Sequence, residues 1–280
     1  MIVRVASVQM DVAFNNPGEN IAQVVDYVHS LSAKGVRLAV FPECVLTGYC
    51  VSTAEEADQI GIELELLEAI REAAADTGMV VVVGFAEKGS YNTAALFDGD
   101  REPVFYRKAH LPELGYDKFA KTGDALEVFE TSVGRIGILI CFDVRHPEAA
   151  RTLGLKGADI IALPTNWPTG ADVSADNLCI ARAVENKVFV MTANRIGTEN
   201  GYSFIGKSKL IAPGGQLLDQ AVGNEEKVLI ADFDLEIARN KRNITVPGKH
   251  ETTILESRRP ELYGEIVVPK LAKDSENAVK

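Results

Sequence analysis

Cysteine is scarce in this sequence, with four residues in a chain of 280, at positions 44, 50, 141 and 179. Their spacing is not that of a zinc site, and so few cysteines in a chain of this length do not indicate a disulfide framework. We therefore expect reduced thiols, no metal site and a cytoplasmic location.

Positive charge and long apolar runs are also in short supply. The chain has 29 lysines and arginines against 40 aspartates and glutamates, and its net charge is −11. This balance disfavours nucleic acid and anionic membranes as partners. No apolar run approaches the roughly 18 residues of a membrane span, and the first ten residues alternate like a strand rather than forming the apolar core of a signal peptide. We expect no nucleic-acid partner and no membrane partner.

The composition is otherwise that of an ordinary soluble protein, with 46% hydrophobic and 25% charged residues. No linker rich in proline, glycine or serine divides the chain. We predict a single domain over residues 1–280, with a core of about residues 1–265 and a polar C-terminal tail over residues 266–280.

Apolar strands alternate with segments of helical periodicity, which predicts an α/β fold. Residues 2–9, 36–41 and 78–85 are apolar or alternating runs typical of strands. Apolar residues repeat at helical spacing over residues 21–31, and an acidic helix is predicted over residues 54–77.

One pattern occurs twice along the chain. Residues 38–85 and residues 160–194 each contain an apolar strand, a proline next to a polar residue, a helix and a second apolar strand. This internal similarity predicts two α/β halves that pack sheet against sheet, with the helices outside.

A cysteine follows the apolar run of residues 136–140, and Pro147 then begins a predicted helix that ends near Gly157. A cysteine on a sharp strand-to-helix turn lies near free backbone N–H groups, and this suits a nucleophile whose intermediate is an oxyanion. The alternative is that Cys141 is a small buried hydrophobic residue, the usual role of a free cysteine.

Three predicted strands end on residues with useful chemistry, namely Glu43, Lys108 and Cys141. Sites in sheets covered by helices form beyond the carboxyl ends of the strands, so these three side chains could converge. Taken singly, each has an ordinary explanation, such as a solvated carboxylate or a surface cation.

The segments around these residues are more informative than the residues alone. They read Phe41-Pro-Glu43-Cys-Val-Leu-Thr-Gly-Tyr49, Tyr106-Arg-Lys108-Ala-His-Leu-Pro and Gly137-Ile-Leu-Ile-Cys141-Phe-Asp-Val-Arg-His-Pro-Glu. In this order they resemble the three signature blocks of the nitrilase superfamily of carbon–nitrogen hydrolases, closest to its aliphatic and ω-amidase-like members. Further resemblance covers residues 157–167, 181–189, 194–197 and 258–264.

The resemblance implies a four-layer α-β-β-α sandwich, a homodimer or higher homo-oligomer, and no cofactor. It also implies a catalytic triad of Glu43, Lys108 and Cys141. An unperturbed thiol has a pKa of about 8.5 and needs a base to become a nucleophile at neutral pH. Glu43 would be that base, while Lys108 and the backbone N–H of Phe142 would form the oxyanion hole.

The implied reaction is hydrolysis of the non-peptide carbon–nitrogen bond of a small linear amide through a cysteine thioester, giving a carboxylic acid and ammonia or an amine. A nitrilase or an N-carbamoyl-amide hydrolase would use the same triad. A non-catalytic binding protein and a thiol redox sensor are the alternatives outside the hydrolases, and an intact triad argues against the first of them.

The sequence departs from the family pattern between the lysine and the cysteine, where many members carry a further glutamate. The nearby carboxylates are Glu113 and Asp117, and neither lies at the expected offset from Gly123-Asp124. Either could replace that glutamate, or both could be solvated loop acids. The other candidate substrate-binding residues are Tyr49, Tyr116, Asn166 and Trp167.

Overall fold

The computed structural model describes residues 1–268. The chain divides into two compact units, which meet in sequence between Lys241 and Arg242. A single domain over residues 1–280 therefore stays a prediction. Most of the predicted polar tail, residues 269–280, lies outside the described residues.

The first unit alternates strands and helices. Its strands are β1 (Ile2–Gln9), β2 (Leu38–Val40), β3 (Val80–Glu87), β4 (Tyr91–Asp98), β5 (Val104–Arg107), β6 (Val128–Thr131), β7 (Gly134–Ile138), β8 (Ile160–Thr165), β9 (Phe189–Asn194), β10 (Thr198–Glu199), β11 (Tyr202–Ser203), β12 (Lys209–Ile211), β13 (Leu217–Gln220) and β14 (Lys227–Asp234). Its helices are α1 (Pro17–Ser32), α2 (Ala54–Ile60), α3 (Glu68–Thr77), α4 (Pro147–Leu155), α5 (Cys179–Asn186) and α6 (Leu235–Arg239).

Two six-stranded sheets share one topology. The first has the order β14-β1-β2-β3-β4-β5, and the second has the order β6-β7-β8-β9-β12-β13. In each sheet three consecutive strands are parallel, β1 to β3 in the first and β7 to β9 in the second. One antiparallel strand flanks them on one side. On the other side two further strands are added by antiparallel pairing, so the outermost of them runs in the direction of the parallel strands. The predicted internal similarity is therefore confirmed.

The parallel strands are buried on both faces, as their continuous apolar sequences predict. In the first sheet Val40 and Val82 point into a core shared with the second sheet. Their neighbours Ala39 and Val81 point into a separate core formed with α1 and α3. Helices α4 and α5 cover the outer face of the second sheet. The result is the predicted four-layer α-β-β-α sandwich.

The predicted helix over residues 54–77 is wrong, because the chain leaves the helical path at Gly61. Helix α2 ends there in extended backbone, and helical turns resume only at Leu64. Between them, the N–H of Ile62 donates to the carbonyl of Ala86, and the N–H of Lys88 donates to the carbonyl of Ile62. Pairing with the end of β3 thus replaces the intrahelical hydrogen bonds at this point.

The second unit consists of a short hairpin, β15 (Asn243–Val246) and β16 (His250–Thr252), followed by two 3₁₀ turns at Pro260–Leu262 and Gly264–Val267. Over residues 1–268, no helix combines the length and the apolar character that a membrane crossing requires.

Candidate active site

The predicted catalytic residues follow strands that run in one direction within each sheet. Strand β2 leads to Glu43 and β7 leads to Cys141. Strand β5 leads to Lys108 and is antiparallel to β4, which is itself antiparallel to β3, so β5 ends at the same edge as β2. The sheets therefore present all three residues beyond their strand ends.

Cys141 begins a 3₁₀ turn, Cys141–Arg145, that leads directly into α4. Its φ is +45°, in the left-handed region that non-glycine residues rarely adopt and that recurs at functional sites. Its side chain is 8% exposed and lines a cavity of about 310 Å³. The thiol is thus sheltered yet reachable by a small ligand.

Glu43 and Lys108 form a fully buried ion pair together with Asp117. Lys108 Nζ lies 2.7 Å from Glu43 Oε1 and 2.6 Å from Asp117 Oδ2, and all three side chains have 0% exposure. Within residues 1–268, the buried Glu43 Oε2 accepts no hydrogen bond. That oxygen is therefore free to take a proton.

Asn92 on β4 is a part of the site that sequence reasoning missed. Its Nδ2 donates to Glu43 Oε1 at 2.8 Å and to Asp117 Oδ1 at 2.8 Å, and the residue is fully buried. One amide thus fixes the orientation of both carboxylates. The available signal was an asparagine near the start of a strand whose central residues are apolar.

The electrostatics of the site follow from its burial. Burial and the negative charge of Glu43 raise the pKa of the Cys141 thiol, while Lys108 and the backbone N–H of Asn166 act to lower it. Burial raises the pKa of Glu43, with Lys108 opposing this and Asp117 adding to it. Burial acts to lower the pKa of Lys108, but Asp117 and Glu43 overcome it and hold that pKa well above its ordinary value. In the resting site the lysine is a cation and the thiol is protonated.

Asp143, two residues after Cys141, ties the cysteine turn to the lysine segment. Its Oδ2 accepts from the Ile140 N–H at 2.9 Å and from the Tyr106 hydroxyl at 2.8 Å. Its Oδ1 accepts from the His110 N–H at 3.0 Å and lies 2.7 Å from His110 Nδ1. This buried carboxylate sets the distance between the two strand ends.

Two of the predicted substrate-binding residues, Tyr49 and Trp167, line the cavity together with Phe142. In the described part of the chain, Trp167 Nε1 is buried and donates to no acceptor. Both amide atoms of the Asn166 side chain are buried and unpartnered there as well. Trp167 Nε1 is therefore available to a ligand in the cavity, whereas the predicted substrate-binding residue Asn166 is not among the residues that line it.

The other predicted substrate-binding residues have different positions. Asp117 contacts Lys108, whereas Glu113 on the same loop is exposed. Tyr116 is buried away from the cavity lining and donates its hydroxyl to the Glu87 carbonyl at 3.0 Å. Of the two carboxylates left open by the sequence, Asp117 is the one that the fold brings to the lysine.

Over residues 1–268, no group of three or more histidine, cysteine, aspartate or glutamate side chains is arranged to hold a metal ion.

The backbone of residues 42–44, the glutamate turn, packs directly against Gly84 on β3. A substitution at Gly84 therefore tests whether the position of Glu43 matters for activity. A Cβ added at Gly84 would lie 2.6 Å from the Cys44 nitrogen and 2.8 Å from the Glu43 Cα. We expect Gly84→Ala to lower stability by about 1–3 kcal/mol through overpacking and kcat/KM by roughly tenfold to a hundredfold through displacement of Glu43.

Thermal unfolding and amide-hydrolysis kinetics check this prediction. Gly18→Ala on α1 is the matched control, because a Cβ there meets nothing within 4 Å. A Gly84→Ala variant with unchanged kcat/KM would show that the position of the glutamate turn is not critical.

A cysteine on a strained turn, beside a buried carboxylate and a buried lysine, is the arrangement expected of a hydrolase that works through a cysteine. Comparison with known proteins gives the family. The carbon-nitrogen hydrolase family model matches residues 4–243, and the chain belongs to that family.

Individual relatives agree with this assignment. A nitrilase of Pyrococcus abyssi is 37% identical over 94% of this chain and 99% of its own length. A 2-oxoglutaramate amidase of Bacillus subtilis is 31% identical over 83% of this chain and 91% of its own length.

A solved structure resembles the chain throughout. It is a mutant of the amidase from Nesterenkonia sp. AN1, with the acetamide moiety of fluoroacetamide covalently added at its active-site cysteine. The TM-score is 0.77 at 26% identity, with 93% of this chain and 95% of that chain covered.

Proposed function

We propose that this protein hydrolyses a small linear amide through a thioester on Cys141, releasing a carboxylic acid and ammonia or an amine. The observation that carries the proposal is the buried Glu43–Lys108 pair behind a cysteine that lines a small, mostly apolar cavity. The amidase of known structure that is modified at its active-site cysteine supports the same chemistry.

In the acylation step Glu43 acts as the general base. Its unpartnered Oε2 takes the proton of the Cys141 thiol as sulfur attacks the amide carbon. The amide oxygen becomes an oxyanion, which faces Lys108 Nζ and the backbone N–H of Phe142. The first N–H groups of a helical turn have no intrahelical acceptor, so the turn after Cys141 suits this role. Loss of one such donor costs roughly 3–4 kcal/mol in comparable sites.

Acylation ends when Glu43 gives its proton to the leaving nitrogen and the first tetrahedral intermediate collapses to the thioester. In the deacylation step Glu43 removes a proton from the water that attacks the thioester and then returns it to the departing Cys141 sulfur, which releases the carboxylic acid and restores the thiol. The second tetrahedral intermediate places its oxyanion against Lys108 again. Because Asp117 and Glu43 overcome the effect of burial and keep Lys108 protonated, its charge is available in both steps.

The pH profile tests the role of Glu43. Because burial raises the pKa of Glu43, this group loses its basic form at a higher pH than an ordinary glutamate as the solution is acidified. We expect the acid limb of kcat/KM to lie above the usual glutamate value of about 4.3. Kinetics from pH 4 to pH 9, with circular dichroism to confirm folding, measure it. An acid limb at or below the ordinary value would contradict the assignment.

A nitrilase is the second candidate, because the relative of Pyrococcus abyssi carries that name. An N-carbamoyl-amide hydrolase would use the same triad. Ammonia release across short aliphatic amides, ω-amides, nitriles and N-carbamoyl compounds separates the three. Turnover of amides with an acyl adduct on Cys141 in the mass spectrum supports the proposal. Oxidation of Cys141 without turnover of any compound would favour a redox sensor.

We also propose a cytoplasmic homodimer. The four cysteines are free and buried, which suits a reducing compartment. Leu155 on α4 and Val184 on α5 are exposed apolar residues on the outer layer of the second sheet, a surface suited to a second copy. Light scattering coupled to size exclusion measures the mass. A monomer at micromolar concentration would contradict the dimer.

A further inference from the structure

The loop after β9 carries a fully buried arginine close to the site. The Arg195 side chain has 0% exposure, and its Nη1 lies 2.6 Å from Glu199 Oε2. Its Nη2 lies 3.0 Å from Asp11 Oδ1, and the guanidinium stacks 4.3 Å from the centre of the Phe204 ring. The Asp11 side chain is 53% exposed but that of Glu199 only 3%. The buried part of this network is therefore the Arg195–Glu199 pair.

The second oxygen of Glu199 holds the backbone that carries Tyr49. Oε1 accepts from the Tyr49 N–H at 2.8 Å and from the Cys50 N–H at 2.5 Å. Next to it, Asn200 Nδ2 donates to the Cys50 carbonyl at 2.6 Å. Gly48 has a φ of +83°, and a Cβ there would lie 3.0 Å from Glu199 Oε2. The glycine permits the close approach of the carboxylate.

Tyr49 in turn contacts the catalytic cluster. Its hydroxyl lies 2.8 Å from Asp117 Oδ2 and 2.9 Å from the Leu114 carbonyl, and its one proton goes to the charged carboxylate. The same Asp117 oxygen lies 2.6 Å from Lys108 Nζ. Burial and the charge of Asp117 raise the pKa of the Tyr49 phenol, so it keeps its proton and remains a donor. A continuous series of contacts thus runs from Arg195 to the catalytic lysine.

We propose that Glu199 is a positioning residue that holds Tyr49 so that its hydroxyl donates to Asp117 beside Lys108. The inference rests on the amide hydrolysis proposed above. A buried ion pair is weak evidence for stability, whereas a displacement of about 1 Å near reacting groups can cost 10²-fold in rate. The geometry of the Tyr49 backbone is what this pair controls.

The proposal predicts the direction of a pH shift. The positive end of the Tyr49 O–H dipole lies against Asp117, whose charge already raises the pKa of Glu43. Without this dipole the negative charge of Asp117 is less compensated and raises the pKa of Glu43 further. The acid limb of kcat/KM should therefore move to higher pH. The titratable groups around Glu43 are Lys108, Asp117, Cys44, Cys50, Cys141 and Tyr49.

A double-mutant cycle tests the connection. We expect Glu199→Ala and Tyr49→Phe each to lower kcat/KM by about tenfold or more and to shift the acid limb upward. The double variant should lose no more than the worse single variant, because both changes remove one interaction. Multiplied losses, or an unshifted acid limb in Glu199→Ala, would overturn the proposal.

Two further variants separate positioning from general stability. Glu199→Gln keeps an acceptor oxygen for the Tyr49 N–H and should restore the wild-type acid limb. Asp11→Asn breaks the exposed ion pair of Arg195 and should leave the limb in place. If Glu199→Ala does not fold, Glu199→Asp replaces it in the double-mutant cycle. The shorter side chain keeps the negative charge but moves the carboxylate oxygen away from the Tyr49 and Cys50 N–H groups.

The rate of Cys141 alkylation by iodoacetamide, measured as a function of pH, compares the same variants without requiring amide hydrolysis. It reports on the same base, and the other three cysteines are at most 2% exposed. Absence of amide hydrolysis in the wild type would reject the proposed function alone. An alkylation profile identical in wild type, Glu199→Ala and Tyr49→Phe would reject this inference alone.

Discussion

We expect replacement of Cys141 by alanine to abolish turnover, with a loss of at least about 10⁴-fold in kcat, while the fold is retained. The reason is that no other thiol can take its place. Cys141 is the only one of the four cysteines that lines the cavity among the described residues, and it lies in the field of both Glu43 and Lys108. Ammonia release and mass spectrometry of the acylated enzyme measure the effect.

Cys179→Ala is the control for this substitution. Cys179 is also a buried free cysteine, but its thiol lies on α5 and donates to the Ala175 carbonyl at 2.9 Å. This variant should keep wild-type kinetics and acquire an acyl group. Hydrolysis by purified Cys141→Ala at a near-wild-type rate would remove the basis for a thioester mechanism.

Replacement of Asp117 by asparagine separates activity from stability. Lys108 carries one positive charge between two carboxylates, so the buried cluster holds a net negative charge. Asparagine keeps the shape and leaves a neutral Glu43–Lys108 pair, so we expect an unchanged or higher melting temperature. Activity should nevertheless fall by about 10²-fold, because loss of the Asp117 charge lowers the pKa of Glu43 and makes it a weaker base.

The matched control is Glu113→Gln, which removes an exposed carboxylate from the same loop. Thermal unfolding and the pH dependence of kcat/KM check both variants, and the acid limb of Asp117→Asn should move to lower pH. Wild-type activity in Asp117→Asn, or loss of activity in Glu113→Gln, would mean that the wrong carboxylate has been assigned to the lysine.

The strand ends at Glu43, Lys108 and Cys141 were predictable because local sequence determines them. Apolar runs define the strands, and proline or a polar residue marks where each one stops. The duplicated topology was predictable for the same reason. The break at Gly61 was not, because it depends on hydrogen bonds between Ile62 and the distant end of β3.

The remainder of the site depends on contacts across the fold. Asn92 lies on a strand whose partners determine which way its amide faces, and only the packed sheet brings it to Glu43. The choice between Glu113 and Asp117 depends on the path of one loop, which places Asp117 at Lys108 and Glu113 in solvent. Glu199 accepts a hydrogen bond from the Tyr49 backbone, about 150 residues away in sequence. Local sequence patterns do not predict contacts between residues so far apart.

The division of the site between the two sheets has a consequence for refolding. Glu43, Lys108 and Asn92 belong to the first sheet, whereas Cys141 and Asn166 follow strands of the second. Each half can acquire its secondary structure without assembling a competent nucleophile. Recovery of enzymatic activity after dilution from denaturant therefore reports the docking of one sheet on the other, and it should lag behind the recovery of the far-ultraviolet circular dichroism signal.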